Sequence, residues 1–125
     1  MNRDKDIDKI KKEIDEISSN LASIKESHKM IGYVYEDSII NYDRALEQDY
    51  WTNQERDFLE EQQFKVMKMR DREESHYYFF EQEFKKDIER REEDIEEINR
   101  EIEREREREE AENNKVKEEE DKKEE

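Results

Sequence analysis

Two histidines, His28 and His76, are the only side chains in this sequence that ordinarily titrate near neutral pH, so acid–base or metal chemistry would start from them. The sequence gives them little support. There is no cysteine, which excludes thiolate nucleophiles, disulfides and cysteine-ligated metals. No His-Glu-x-x-His pattern and no glycine-rich phosphate loop occurs. Glu73-Glu74-Ser75-His76 meets the Glu-x-x-His spacing of carboxylate-bridged metal bundles, but those need the motif twice among four helices. The many glutamates are spaced as solvated helix faces, with no pocket to move their pKa values. His28 is better read as a polar seam residue that fixes register against Glu73 or Glu74. His76 sits in an aromatic run and reads as interface. The expectation is a protein with no catalytic site, no cofactor and no metal.

The elements that would position these residues follow from composition. Of 125 residues, 30% are hydrophobic and 53% are charged. That is too little apolar surface to offset the ordering entropy of a globular core. Long helices that each bury one narrow stripe remain, and the single Gly and absence of Pro favour them over disorder. The net charge of −16 repels nucleic-acid phosphates and anionic membranes. The start, Met1 to Ile10, has no apolar signal region, and no stretch reaches membrane-spanning length. A cytoplasmic protein is expected; export with a partner, without a cleaved signal peptide, is compatible with this pattern.

The apolar period places the helices. Ile7, Ile10, Ile14, Ile17, Leu21, Ile24, His28, Ile31, Tyr35, Ser38, Tyr42 and Ala45 alternate three- and four-residue steps, the seam of a left-handed coiled coil. Gly32 interrupts it as a tolerated glycine or a mild bend. A second period runs through Leu59, Val66, Met69, Tyr77, Phe80, Phe84, Ile88, Ile95, Ile98 and Ile102. Between them Thr52-Asn53-Gln54-Glu55 reads as a capping box. The predicted fold is all-α: a long, coiled-coil-like antiparallel two-helix hairpin over 1–105. Helix one covers about 4–48, the turn about 49–52 and helix two about 53–105. Residues 106–125 form a charged tail, frayed or disordered.

Facing residues in an antiparallel hairpin have numbers of constant sum. A turn near residue 51 sets that sum at about 102. Ile24 then faces Tyr77, Leu21 faces Phe80, Ile17 faces Phe84, Ile14 faces Ile88 and Ile31 faces Met69. Ile10 meets Arg91 or Glu92, a mismatch, and Ile98 and Ile102 have no partner. The hairpin cannot cover every apolar residue. His76-Tyr77-Tyr78-Phe79-Phe80 takes a full helical turn, so Tyr78 and Phe79 point outward. Phe64 and Met67, with Met30, Val34, Ile39 and Ile40 on helix one, widen the band. Such a band on a charged chain reads as a surface for a helical partner or for a homodimer.

The tryptophan at the turn, in Trp51-Thr52-Asn53, resembles the WXG superfamily of type VII secretion proteins, with Asn53 in place of the glycine. Residues from about Tyr35 to Arg104 look like the small α-helical accessory proteins of LXG toxins in Gram-positive bacteria. The likeness lies in an acidic heptad helix, the approach Glu47-Gln48-Asp49-Tyr50-Trp51, and a second helix of Phe, Glu and Arg ending in Glu-Asp-Ile-Glu-Glu-Ile. It implies a targeting factor or chaperone for the helical N-terminal domain of such a toxin. Family members that carry the export signal have Tyr-x-x-x-Asp/Glu after helix two. Here that spacing occurs only inside the predicted helices, at Tyr33 with Asp37 and Tyr77 with Glu81. A second small helical protein is therefore implied as the source of the signal. A self-associating coiled-coil scaffold is the alternative from another class.

Overall fold

The computed structural model describes residues 3–124, and within them the hairpin is present as two helices packed against each other. Helix α1 runs Arg3–Leu46 and helix α2 runs Asn53–Glu124. Asp4 and Asp6 stand in the first turn of α1 and Arg44 in its last, each matched in sign to the helix dipole. Helix α2 begins at the predicted residue, while α1 ends two residues early, so the turn spans 47–52.

The turn is held by side chains. Glu55 N donates to Thr52 Oγ1 at 3.2 Å, and Thr52 N donates to Glu55 Oε1 at 3.1 Å. This is the reciprocal capping box, and it satisfies two amide donors that the helix start leaves open. At the other end, the Trp51 indole Nε1 donates to the Ala45 carbonyl at 2.7 Å. Arg56 Nη2 reaches the Gln48 carbonyl at 3.2 Å. Asn53 departs from its expected part: it is the first residue of α2, and no described residue has a positive φ. The reversal is made by the residues before it, and Thr52 rather than Asn53 caps the helix.

The chain divides into two compact units, Ile17–Lys86 and Met1–Glu16 with Asp87–Glu125. In the first unit α2 keeps the predicted seam residues Leu59, Val66, Tyr77 and Phe84 half-buried and departs from the prediction at two positions. Phe80 and Met69, expected at the seam, are exposed at 52% each. Arg70 and Glu81, one residue later, are half-buried instead, and Gln63 is half-buried alongside Gln62. Hydrogen bonds account for the rotation. Gln63 Nε2 donates to the Ile39 carbonyl at 3.2 Å and to Asp43 Oδ1 at 2.6 Å, and Arg70 Nη1 donates to Glu36 at 3.2 Å. Ile39, expected at the edge of the seam, is the one buried hydrophobic residue among those described, at 6% exposure. Ile17, Leu21, Tyr77 and Phe84 are half-buried as seam residues; Ile24 and Ile31 are more open.

In the second unit Ile7, Ile10, Ile14, Ile88, Ile95, Ile98 and Ile102 are all half-buried. The expected mismatch at Ile10 is absent, because Arg91 turns to Glu13 at 3.1 Å and to Asp87. Ile98 and Ile102 are also not left bare: Arg3 at the start of α1 reaches Glu101 at 3.8 Å and Glu105 at 2.7 Å, so α1 covers this stretch. Beyond it α2 continues as helix past the expected limit of 105, with residues 103–123 exposed and, among the described residues, Glu105 alone of this stretch in an ion pair with α1.

Gly32 lies inside α1 without a positive φ, and a Cβ there would meet nothing within 4 Å. Gly32→Ala is therefore expected to raise stability by about 1 kcal/mol, read as a higher Tm in thermal melts. The capping box carries a pH signature. The hydrogen bonds from Thr52 hold the Glu55 carboxyl below its usual value of 4.5. A lowered folded pKa means the contribution is complete above the unfolded pKa and is lost as pH falls through the folded one. Glu55→Gln keeps a capping side chain but removes this titration. Its stability difference from wild type is expected to be largest near neutral pH and to vanish at the acid end of a series of melts; a constant difference would mean the carboxylate charge contributes nothing.

Candidate functional site

The residues with the chemistry to form a site converge at mid-hairpin in Ile17–Lys86. His28 Nδ1 donates to Glu73 Oε1 at 2.7 Å, the pairing expected from the sequence. Its ring also stacks on Tyr77, with centroids 3.9 Å apart and planes 4° from parallel. Tyr77, one turn below on α2, is the residue expected to face Ile24; the imidazole occupies that position because stacking and the Glu73 bond can be made together. The Tyr77 phenol lies beside the Glu81 carboxylate without completing hydrogen-bond geometry. That carboxylate and partial burial push its pKa up to about 12. Glu81 is in turn held below the usual carboxylate range by Tyr77 and by Lys85, whose ammonium is 2.9 Å away.

A His–Glu pair can orient an imidazole as a general base, but that role also needs a nucleophile or substrate pocket at the other ring nitrogen. Here one imidazole face is covered by Tyr77. The nearby Ser75 hydroxyl donates to the Asp71 carbonyl of its own helix at 3.1 Å. Among the described residues no group of three or more His, Cys, Asp or Glu is placed to hold a metal ion. The arrangement works as a clamp: a polar pair inside an apolar seam favours one register over a slip by a turn.

The sequence placed a partner surface at Tyr78, Phe79, Phe64, Met67, Met30 and Val34. Five of these are exposed, with Val34 at 68% and Tyr78 at 65%. Met67 is not: it is half-buried, because the rotation that brings Gln63 and Arg70 inward carries Met67 with it. Phe64, Tyr78 and Phe79 lie toward the back of α2. Lys68 Nζ stands 4.6 Å over the Phe64 ring, and Phe79 meets Phe80 edge-on at 5.6 Å. Exposed residues that the sequence did not assign to this surface include Phe58, Tyr33 and Tyr50. Phe58 precedes the seam residue Leu59, and that offset was the available signal for it. Tyr50 packs on Trp51 at 4.6 Å.

Comparison with known proteins adds no relative to this geometry: no family model, no curated protein and no solved structure matches the chain. Core and surface assignments are separable by mutation. Ile39→Ala is expected to cost about 2–4 kcal/mol through the cavity it leaves. Tyr78→Ala and Phe79→Ala are each expected to stay within about 0.5 kcal/mol of wild type, as exposed sites do. Chemical denaturation of the three variants gives the comparison.

Proposed function

We propose that the chain is a non-catalytic helical binding protein, acting in the cytoplasm as a targeting factor or chaperone for the helical N-terminal domain of an LXG-type toxin. One observation carries the binding part of this reading. Among the described residues one hydrophobic residue is buried and fourteen large ones are exposed, six of them aromatic rings on α2 or its approach at Tyr50, Phe58, Phe64, Tyr78, Phe79 and Phe80. Helices offer such rows to other helices, where apolar anchors recur along one face. Apolar exposure on this scale favours docking over free solvation. No described helix is long and apolar enough to cross a membrane, so a bilayer core is a poor match for the same surface.

The toxin and the type VII secretion route rest on the resemblance at Glu47–Trp51 and along α2. A second small helical protein supplies the export signal in this reading, since the Tyr-x-x-x-acid spacing lies within the helices here. The Tyr77-to-Glu81 copy is engaged in the mid-hairpin cluster, with Tyr77 stacked on His28.

Co-expression with a tagged LXG-type N-terminal domain tests the reading. Wild type is expected to co-purify with it, and Tyr78→Ala with Phe79→Ala to lose that capture while keeping its helical circular dichroism. Buried aromatic anchors are each worth about 2 kcal/mol or more. Ile14→Ala with Ile88→Ala is expected instead to loosen the hairpin through lost seam packing. Absence of any complex with the wild-type chain would remove the toxin-binding function.

A further inference from the structure

Trp51, Gln54, Glu55, Phe58 and Leu59 recur at i, i+3, i+4, i+7 and i+8, so they share one face of the first turns of α2 and its approach. Together they line an open groove of about 460 Å³ within Ile17–Lys86. Most of its wall is held from elsewhere in the chain. The Trp51 indole is fixed by its bond to the Ala45 carbonyl, Glu55 by the reciprocal cap with Thr52, and Leu59 is half-buried in the seam. Phe58 and Tyr50 are largely exposed, and Tyr50 packs on Trp51. A groove whose walls are already ordered loses little freedom when it is filled.

The border of this groove is acidic. Glu55 lines it, and Asp57 and Glu61 follow Gln54 by three and seven residues, which sets them along one edge. Asp57 is exposed and makes no ion pair among the described residues; Lys65 answers Glu61 at 3.5 Å. The whole end of the hairpin has the same sign. From Asp43 to Glu61 the chain has seven carboxylates against two guanidinium groups. Of these two, Arg56 is bonded to the Gln48 carbonyl, and Arg44 stands in the last turn of α1. The back of α2 differs, since the Phe64 ring there has Lys68 over it.

We propose that this groove docks a basic amphipathic segment of another protein. One aliphatic or aromatic side chain of that segment is seated against Trp51, Phe58 and Leu59, and its Lys or Arg residues meet Asp57 and Glu61. Charge complementarity selects the occupant: apolar contact at the centre, with opposite charges at the rim, is the anatomy of a specific interface. Nucleic acid and anionic bilayers are repelled by the same carboxylates. A second copy is a poor match. Groove on groove would bring Asp57 and Glu61 toward their own counterparts. The basic stretch of this chain from Lys65 to Arg72 is committed to α2, with Arg70 turned to Glu36 and Lys68 over Phe64. The inference stands apart from the toxin reading, which is tested at Tyr78 and Phe79 with a different ligand, so either can fail alone.

Trp51 is the one tryptophan of the chain, so its fluorescence reports on the groove directly. The probe is a synthetic helical peptide of Leu and Lys, with Leu on one face and no aromatic residue, titrated into the full chain. A saturable change in Trp51 emission is expected, weakened by added salt. Phe58→Ala and, separately, Asp57→Lys with Glu61→Lys are expected to weaken binding about tenfold or more, with helical circular dichroism kept. Glu118→Lys with Glu119→Lys makes the same change of charge on the exposed end of α2 and is expected to leave the affinity within about twofold. A peptide with Ser in place of Leu is expected to bind at least about tenfold more weakly. No change in Trp51 emission up to about 1 mM peptide overturns the proposal. So does equal weakening by the two pairs of charge reversals, or equal affinity for the Ser peptide, since either means attraction by net charge alone. Self-association of the chain that Phe58→Ala abolishes, seen by sedimentation equilibrium, gives the groove to a second copy and also overturns it.

Discussion

The indole of Trp51 donates its hydrogen bond to the Ala45 carbonyl, and through it the end of one helix is tied to the start of the next. A carbonyl in the last turn of a helix has no amide partner further along its own helix. Here Ala45 receives the Trp51 donor as well as the Gln48 amide at 3.2 Å. The capping box at Thr52 and Glu55 then starts α2 one residue later, with no glycine and no left-handed residue involved. Together these contacts set where the chain reverses. The point of reversal decides which residues of α1 and α2 meet in the segment next to it.

From that register follow the polar bonds that orient α2. Gln63 can reach both Ile39 and Asp43, and Arg70 can reach Glu36, only if α2 turns those residues toward α1. The same rotation takes Met69 and Phe80 out of the seam. Each bond between partly exposed groups is modest in net worth, about 0.5–1.5 kcal/mol. They compete, however, with a two-helix seam that encloses each apolar side chain only in part. When burial is incomplete the hydrophobic advantage of Met69 over Arg70 shrinks, and the polar set prevails. The His28–Glu73 pair and the Tyr77 stack lock the same choice one to two turns further on.

The consequence for function is a molecule with two kinds of surface. One flank of the seam is closed by charged and amide side chains that bond across it. The other flank and the back of α2 keep their aromatic and aliphatic side chains open. A surface of this kind gains from contact with further helices and offers little to a small polar ligand. The back of α2 interleaves its rings with Lys68 and other ionic side chains.

Sequence alone determined the fold class, the start of α2 and the capping box, because these depend on local rules: heptad spacing, cap chemistry and the lack of helix breakers. It also narrowed the partner of His28 to Glu73 or Glu74, since the turn fixes a sum near which both lie, and the structure takes Glu73. Tertiary structure alone decided the rotation of α2 about its axis. A heptad pattern leaves neighbouring stripes only about 100° apart, and choosing between Met69 and Arg70 needs the bond that Glu36 of α1 supplies. For the same reason Ile39 became the buried residue and Met67 turned half inward. The fit of Arg91 to Glu13, and the reach of Arg3 to Glu101 and Glu105, likewise had to come from packed side chains, because a long flexible guanidinium can serve residues a full turn from where the backbone register puts it.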